Sequence, residues 1–364
     1  MTAQSSSVFS YEPDLVLPPG DTLAEVLEEA GMTQAELATR TGLSTKHVNQ
    51  IVNGGASITP ETALLLERAT GVRARVWSNL EVAYREHLSR EHESATLLAD
   101  AGWLEILPIK ELIKRGRLEN TQDKVRLVRG VCQFFGVANR TAWEAVWEKP
   151  TAYRTSKAFK SDPGAVAAWL RIGEIEAGGI DCAPFSRSGL TALLQDLRGL
   201  TLETNPRVWH STLVQLCASV GVAVVLEPEI KGARINGAAR WLTPEKALVQ
   251  LSLRHRWNDI FWFTFFHEVG HLLMHSKKDT FLNDTGVHSG VEQEADGFAG
   301  QLLIPRRFEA ELAEVQNLDD ARSLAARLGV APGIVVGRLQ HDQRWAYNRG
   351  NELKQRFILK DSQT

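Results

Sequence analysis

Residues 257–274 read Trp-Asn-Asp-Ile-Phe-Trp-Phe-Thr-Phe-Phe-His-Glu-Val-Gly-His-Leu-Leu-Met, and the apolar run carries His267, Glu268 and His271 at its centre. On a helix His267 and His271 stand one turn apart on the same face, which lets both imidazoles reach one metal ion. Phe261, Trp262, Phe263, Phe265, Phe266, Val269, Leu272, Leu273 and Met274 leave no wholly polar face, so the helix is expected to be buried on most sides. Burying each polar group there without a partner costs roughly 2 kcal/mol or more. A zinc ion supplies the missing partner for the imidazoles. An accidental match on a surface helix, or core histidines satisfied by backbone carbonyls, is the plain alternative.

A catalytic zinc site needs a third protein ligand and one open position. Residues 290–299 open a second helix that runs to Leu303, with Ala295, Phe298, Ala299, Leu302 and Leu303 as its buried stripe. Glu292 lies close to that stripe in helical phase and Glu294 points away. Glu292 is therefore the expected ligand, with Asp296 one turn later orienting a ligand histidine. If the helix starts only after Glu292, Glu294 takes its place. Glu268 is then the general base of peptide hydrolysis. No oxyanion donor stands out. His275, on the face of His271, and His288, in the loop between the helices, both have structural readings.

Residues 222–226 read as a buried strand and residues 247–253 as an alternating one. The second either accepts an extended substrate by strand addition or is an ordinary interior strand.

The N-terminal part carries a different pattern. Residues 33–40 read as a short helix, Thr41-Gly42-Leu43 as a tight turn and residues 44–52 as the next helix. Leu37, Ala38, Leu43, Val48 and Ile51 fit the internal packing of a helix-turn-helix, and Gly42 suits a positive φ. Ser44 is placed to cap the second helix, Thr45, Lys46 and Asn49 to face the major groove, and Gln34 to lie near a phosphate. Against DNA binding, 41 Lys+Arg face 44 Asp+Glu, a formal net charge of -3, and Lys46 is the sole full positive charge of the recognition helix. Docking or dimerisation is the competing use of such a bundle.

Both ends resemble known families. Residues 18–84 resemble the Xre-type helix-turn-helix of HigA-like antitoxins, through Pro19-Gly20-Asp21, Ile51-Val52-Asn53-Gly54, residues 58–63 and Trp77-Ser78-Asn79-Leu80. Residues 208–339 resemble the ImmA/IrrE metallopeptidases, through residues 267–271, residues 292–299 and Leu302-Leu303-Ile304-Pro305. The second resemblance implies a cytoplasmic, gluzincin-like enzyme whose third ligand is a Glu followed one turn on by Asp or Asn, here Glu292 and Asp296. It further implies cleavage of a helix-turn-helix repressor in a stress, phage or toxin–antitoxin response. The fused antitoxin-like domain departs from the simplest members, leaving a partner protein, a toxin or this chain itself as substrate. A HigA-like repressor whose zinc domain senses or docks without cutting is the alternative.

The expected fold is α+β and mostly helical: a tail (1–14), a five-helix-type helix-turn-helix bundle (15–88), a helical middle region (89–200), a gluzincin-like domain with a small sheet (201–345) and a loosely held C-terminal tail (346–364). Residues 318–339 read as two short helices broken at Gly329 and Pro332. The middle region's Trp143, Trp147, Tyr153 and Trp169 suit core packing or a ligand pocket. Its basic clusters Lys110-Lys114-Arg115-Arg117 and Arg154-Lys157-Lys160 suit solvated helix faces. Cys132, Cys182 and Cys217 lack metal spacing and read as reduced thiols of a cytoplasmic protein. No leader or membrane-spanning run is seen, and a homodimer is compatible with the bundle.

Overall fold

Capping chemistry sets the frame of the N-terminal bundle. In the computed structural model, which describes residues 16–148, 161–275, 281–283 and 290–357, five helices follow one another: α1 (Pro19–Glu29), α2 (Gln34–Thr41), α3 (Thr45–Val52), α4 (Pro60–Thr70) and α5 (Ala74–Ala99). Thr33, Ser44 and Thr59 accept hydrogen bonds from the Glu36, His47 and Thr62 amides and so start α2, α3 and α4. Gly42 ends α2 at φ 75°, a conformation that a Cβ disfavours. Leu23, Leu27, Leu37, Val48, Ile51, Leu66 and Trp77 close the core, as the sequence pattern requires. The bundle belongs to a compact unit that ends at Ala101, and residues 102–364 form a second.

The second unit begins with α6 (Ile109–Lys114), α7 (Lys124–Phe135) and α8 (Arg140–Trp143), the last prolonged by a wider turn through Glu148. Trp103, Phe135, Trp143 and Trp147 pack ring against ring, so these tryptophans are core. Tyr153 and the cluster Arg154-Lys157-Lys160 lie outside the described residues. Arg115 and Arg117 do not form a solvated face. They pair with Glu227 and Glu176.

There follow α9 (Pro163–Gly178), α10 (Arg187–Gly199), α11 (Pro206–Ala218), β1 (Val222–Leu226), β2 (Gly237–Thr243), β3 (Lys246–Leu251), α12 (Asn258–Met274), β4 (Phe281–Asn283), α13 (Gly290–Leu303), α14 (Glu309–Glu314), α15 (Leu318–Leu328) and α16 (Pro332–His341). The sheet order is β1-β3-β2-β4, with β1 parallel to β3 and the other pairs antiparallel. Period-two alternation sorts its side chains into two layers. Val222, Val224, Ala247 and Val249 face the core built by α10–α13, while Ala223, Val225 and Leu248 pack with Ala177 of α9. Gln250 on that second face donates to the Trp169 carbonyl at 2.7 Å. Thus α9, from the expected middle region, is one layer of the C-terminal unit and not part of a separate domain.

Strand β3 is hydrogen-bonded on both edges, by β1 and β2, so it is an interior strand and accepts no peptide. It ends at Leu251, two residues earlier than the sequence reading.

The start of α12 is held by the chain's end. The Asn258 amide donates to the Gln355 carbonyl at 2.9 Å, and the Gln355 amide donates to the Asn258 side-chain Oδ1 at 3.1 Å. Lys354 Nζ donates to Asp259 at 2.6 Å and to Gln340 at 2.7 Å, with both charged side chains below a tenth exposed. Phe357 packs its ring at a tilt against Trp209 and edge-to-face against Phe261. The expectation of a loose tail after Arg349 is therefore corrected: polar residues 350–356 thread through buried partners, and an aromatic anchor at Phe357 ends the segment. Two of the three cysteines are buried, and burial pushes the Cys217 thiol up to about 12, so it stays inert. No helix among the described residues is long and apolar enough to cross a membrane.

Removing one member of a buried ion pair strands the other charge. Lys354→Met is expected to destabilise the C-terminal unit by about 3–5 kcal/mol in urea unfolding, and adding Asp259→Asn to recover most of the loss. An unchanged midpoint for Lys354→Met would disprove the clamp.

Candidate metal centre

Fourteen of the 17 residues of α12 are buried, including His267, Glu268 and His271. Helix α13 crosses it closely, since Gly270 leaves its Cα beside Ala295 and Phe298 with no side chain between. That approach brings the first turn of α13 over the two histidines. His267 Nε2 lies 2.9 Å from His271 Nε2 and 3.1 Å from Glu292 Oε2, and His271 Nε2 lies 3.4 Å from Glu292 Oε1. Glu294 sits outside this group, 3.8 Å from His275. Because α13 starts at Gly290, Glu292 is already helical and in phase with the cluster.

The proton inventory tests whether the three residues suit a cation. Asp296 Oδ1 lies 2.8 Å from His267 Nδ1. A carboxylate accepts only, so Nδ1 carries the hydrogen and Nε2 presents a lone pair. That lone pair points at a carboxylate oxygen and at a second imidazole nitrogen. Three donors of electron pairs therefore converge, all within 4.8 Å of one another. The separations are near the roughly 3.4 Å edge of a tetrahedron with bonds of about 2.1 Å. Only a cation or a shared proton relieves such an arrangement, and the His-His-Glu set fits a metal ion.

The electrostatics of these side chains reflect the same closeness. Burial is the largest single influence on His267 and disfavours its charge, yet Asp296, Glu292 and Glu268 together hold its pKa up at about 10. Burial pushes Glu292 up, but His267 and His271 outweigh it and bring the carboxyl down to about 2. His271 is lowered, chiefly by burial.

Glu268 is different. It is fully buried, and neither oxygen has a hydrogen-bond partner, although the Ala239 amide is near enough to draw the group down slightly. Burial dominates and raises its pKa to about 8. Its ceiling is β2. A Cβ on Gly237 would stand 2.8 Å from Glu268 Oε1 and 2.7 Å from Thr264 Cγ2, so only glycine allows the strand to pass so close. Gly237 was not singled out in the sequence, where its signal is a lone glycine at a strand start. Arg187, which donates to the Leu273 carbonyl at the end of α12, was missed too, and one sequence carries no sign of it. His275 stacks 5.2 Å from His271, and His288 lies outside the described residues.

On the bundle, Thr45, Lys46 and Asn49 are exposed along α3. Asn49 Nδ2 donates to Gln34 Oε1 at 3.2 Å and Asn53 donates to Asn49, which fixes the Asn49 amide on the outer face. The Ser44 hydroxyl caps α3.

Family models match at both ends: a helix-turn-helix model over residues 23–77 and the IrrE N-terminal-like domain, a peptidase family, over residues 258–340. The chain joins a helix-turn-helix domain to an IrrE N-terminal-like domain. No curated protein matches it. Among solved structures, a HigA-family addiction module antidote protein from Coxiella burnetii is 32% identical, with 23% of this chain and 92% of that one covered and a TM-score of 0.22. The Pseudomonas aeruginosa antitoxin HigA, solved with the higBA promoter, is 27% identical over 23% of this chain and 91% of its own, with a TM-score of 0.22. The two family matches thus place a helix-turn-helix at one end of the chain and a peptidase-family domain at the other.

Loss of the carboxylate that fixes a ligand histidine's tautomer weakens metal sites 10- to 100-fold. Asp296→Asn is expected to lower zinc affinity by roughly that factor in chelator competition with the fold unchanged by circular dichroism. Equal affinities would remove Asp296 from the site.

Proposed function

We propose that this chain is a zinc-dependent endopeptidase that works at DNA, cutting a repressor-, antitoxin- or toxin-type protein, and that residues 201–345 with Glu268 as base carry the chemistry. The observation that supports this most directly is the pairing of a three-donor cluster with an adjacent, buried carboxylate that has no structural partner. A site that only stores a metal has no use for Glu268.

Two imidazoles and a carboxylate suit zinc among the divalent ions. His267, His271 and Glu292 would hold it, and Asp296 would keep His267 in the Nδ1–H tautomer. When bound, zinc supplies Lewis-acid polarisation of the scissile carbonyl and of the attacking water. Glu268 takes the proton as the water oxygen bonds to the carbonyl carbon, and passes it to the amine nitrogen as the carbon–nitrogen bond breaks. The buried surroundings of Glu268 keep competing hydrogen bonds weak, so the carboxylate is not blunted as a base.

For the bundle, Asn49, steadied by Gln34 and Asn53, is placed to read a base edge, with Thr45 and Lys46 beside it and Ser44 and Gln34 near the backbone. Replacing Asn49 by Ala is expected to cost about 1–3 kcal/mol of operator binding and to relax specificity at one position, measured by mobility shift against randomised sites at fixed salt. A loss spread evenly over all sequences would reassign Asn49 to phosphate.

Glu268→Gln keeps the shape of the site while removing the base. It is expected to abolish new protein N-termini that the wild type creates in its host, with turnover down by at least about 100-fold on any substrate so identified. Identical N-terminal profiles in growth and under stress would instead favour a regulator that acts by binding.

A further inference from the structure

Between β1 and β2, residues 227–236 form neither helix nor strand, yet the body of the C-terminal unit holds them in place. Ile230, Ala233 and Ile235 anchor the segment, each 1% exposed. Arg115 donates to the Pro228 and Glu229 carbonyls at 3.0 and 3.2 Å, Trp169 Nε1 to the Glu227 carbonyl at 2.9 Å, and the Asp162 amide to the Gly232 carbonyl at 3.0 Å. Lys231 and Arg234, set between the buried residues, are exposed. The segment after β3 lies against them: the Ser252 amide donates to the Asn236 carbonyl at 2.8 Å and Arg254 Nη1 to the Arg234 carbonyl at 3.0 Å. Glu229, Lys231, Gly232, Arg234 and Arg254 line an open cavity of about 460 Å³.

The cavity holds three cations against one carboxylate, and that carboxylate is already engaged. Glu229 accepts from the Arg234 amide at 2.8 Å and stands 3.4 Å from Arg254 Nε. Asp162, beside Gly232, uses its carboxylate to cap α9. Among the described residues, Lys231 Nζ and the Arg234 guanidinium have no hydrogen-bond or ion-pair partner. Backbone strain gathers here as well. Arg234, Leu253 and Arg256 hold φ at 54°, 55° and 57°, and among the described residues Gln343 is the one other non-glycine at positive φ. Glycine holds that conformation without strain, so position 234 carries a guanidinium where the backbone alone favours glycine. The place is close to the base. Gly237, which lies against Glu268, follows Arg234 by three residues, at most about 11 Å of chain. Arg254 also lines a narrow cleft with Asn236 and Thr264, and Thr264 precedes Glu268 by one turn of α12.

We infer that this cavity is a specificity pocket, which takes an Asp or Glu side chain of the substrate a few residues from the bond that is cut. The inference rests on the peptidase reading above. A carboxylate entering the pocket gains charge-assisted hydrogen bonds from Lys231 and Arg234, whose backbone is fixed in advance. A nucleic-acid backbone fits less well, because Glu229 stands in the wall and the cations close around a cavity instead of running in a stripe.

The zinc-loaded full chain is incubated with a pool of randomised short peptides, with Glu268→Gln as the blank, and the new N-termini are sequenced by mass spectrometry. The wild type is expected to enrich Asp or Glu roughly tenfold or more at one fixed position within about five residues of the cut. Lys231→Glu combined with Arg234→Glu is expected to turn the preference at that position toward Lys and Arg, an inversion that a merely structural role does not produce. Arg234→Gly relaxes the backbone while removing the guanidinium, so it is expected to weaken the acidic preference with thermal stability kept or raised. Cutting without an acidic preference, or a preference that the double reversal leaves unchanged, would overturn the pocket and leave the peptidase standing. A double reversal that weakened binding of a random DNA duplex and not the peptide preference would give the cavity to nucleic acid and overturn the inference too. No cutting beyond the Glu268→Gln blank would overturn the peptidase reading and this inference with it.

Discussion

Three polar side chains in a helix without a polar face form the constraint on which the C-terminal unit depends. His267, Glu268 and His271 are buried in α12, and such groups are tolerated only where partners are brought to them. Glu292 and Asp296 come from α13, which packs closely at Gly270, where a Cβ would crowd the Phe298 ring. Gly237 admits β2 over Glu268. Asn258 and Asp259 are fixed by Gln355 and Lys354 from the chain's end. Each contact restricts the rotation of α12 about its axis, and a rotation of one residue would turn both imidazoles out of the cluster.

What the sequence made legible follows from periodicity and capping. The residues that pattern the five bundle helices, Leu37, Val48 and Ile51 among them, are local in sequence and are buried where the 3.6-residue period puts them. The same period distinguished Glu292 from Glu294, and the structure brings the former, not the latter, to the histidines. Illegible were the arrangements set by partners far along the chain. The region from 102 to 200 reads as helices, but only three-dimensional packing reveals that α9 covers the sheet, because its first half, Gly164–Leu170, is buried on every side and shows no amphipathic stripe that would announce a partner. The C-terminal segment reads as polar because its polar atoms serve a buried network around Asp259 and Gln340. The sheet order, with β3 between β1 and β2, is likewise invisible in strand-forming residues alone.

The two halves of the molecule bear different kinds of polar order. In the bundle, polar residues cap helices or stand exposed, and Asn49 is steadied by Gln34 and Asn53. Such a surface presents a fixed hydrogen-bonding pattern in water without needing a charged field, consistent with the balanced charge of the chain.

In the C-terminal unit polar order is buried, and there Glu268 is the informative exception. Around it, His267 has Asp296, Glu292 has both histidines, and Asp259 has Lys354. Glu268 alone of these has no partner for either oxygen. Stability would be served by an apolar residue of similar volume at that position, or by a donor on β2 aimed at the carboxylate. The position keeps a carboxylate instead, with the backbone of Gly237 against it and the Ala239 amide drawing on it only slightly. A buried group kept unsatisfied beside a cation site is a cost that the fold's other contacts must offset. The proposed reaction gives that cost a use, because a carboxylate already satisfied by the protein would have to break a hydrogen bond before it could take a proton from water.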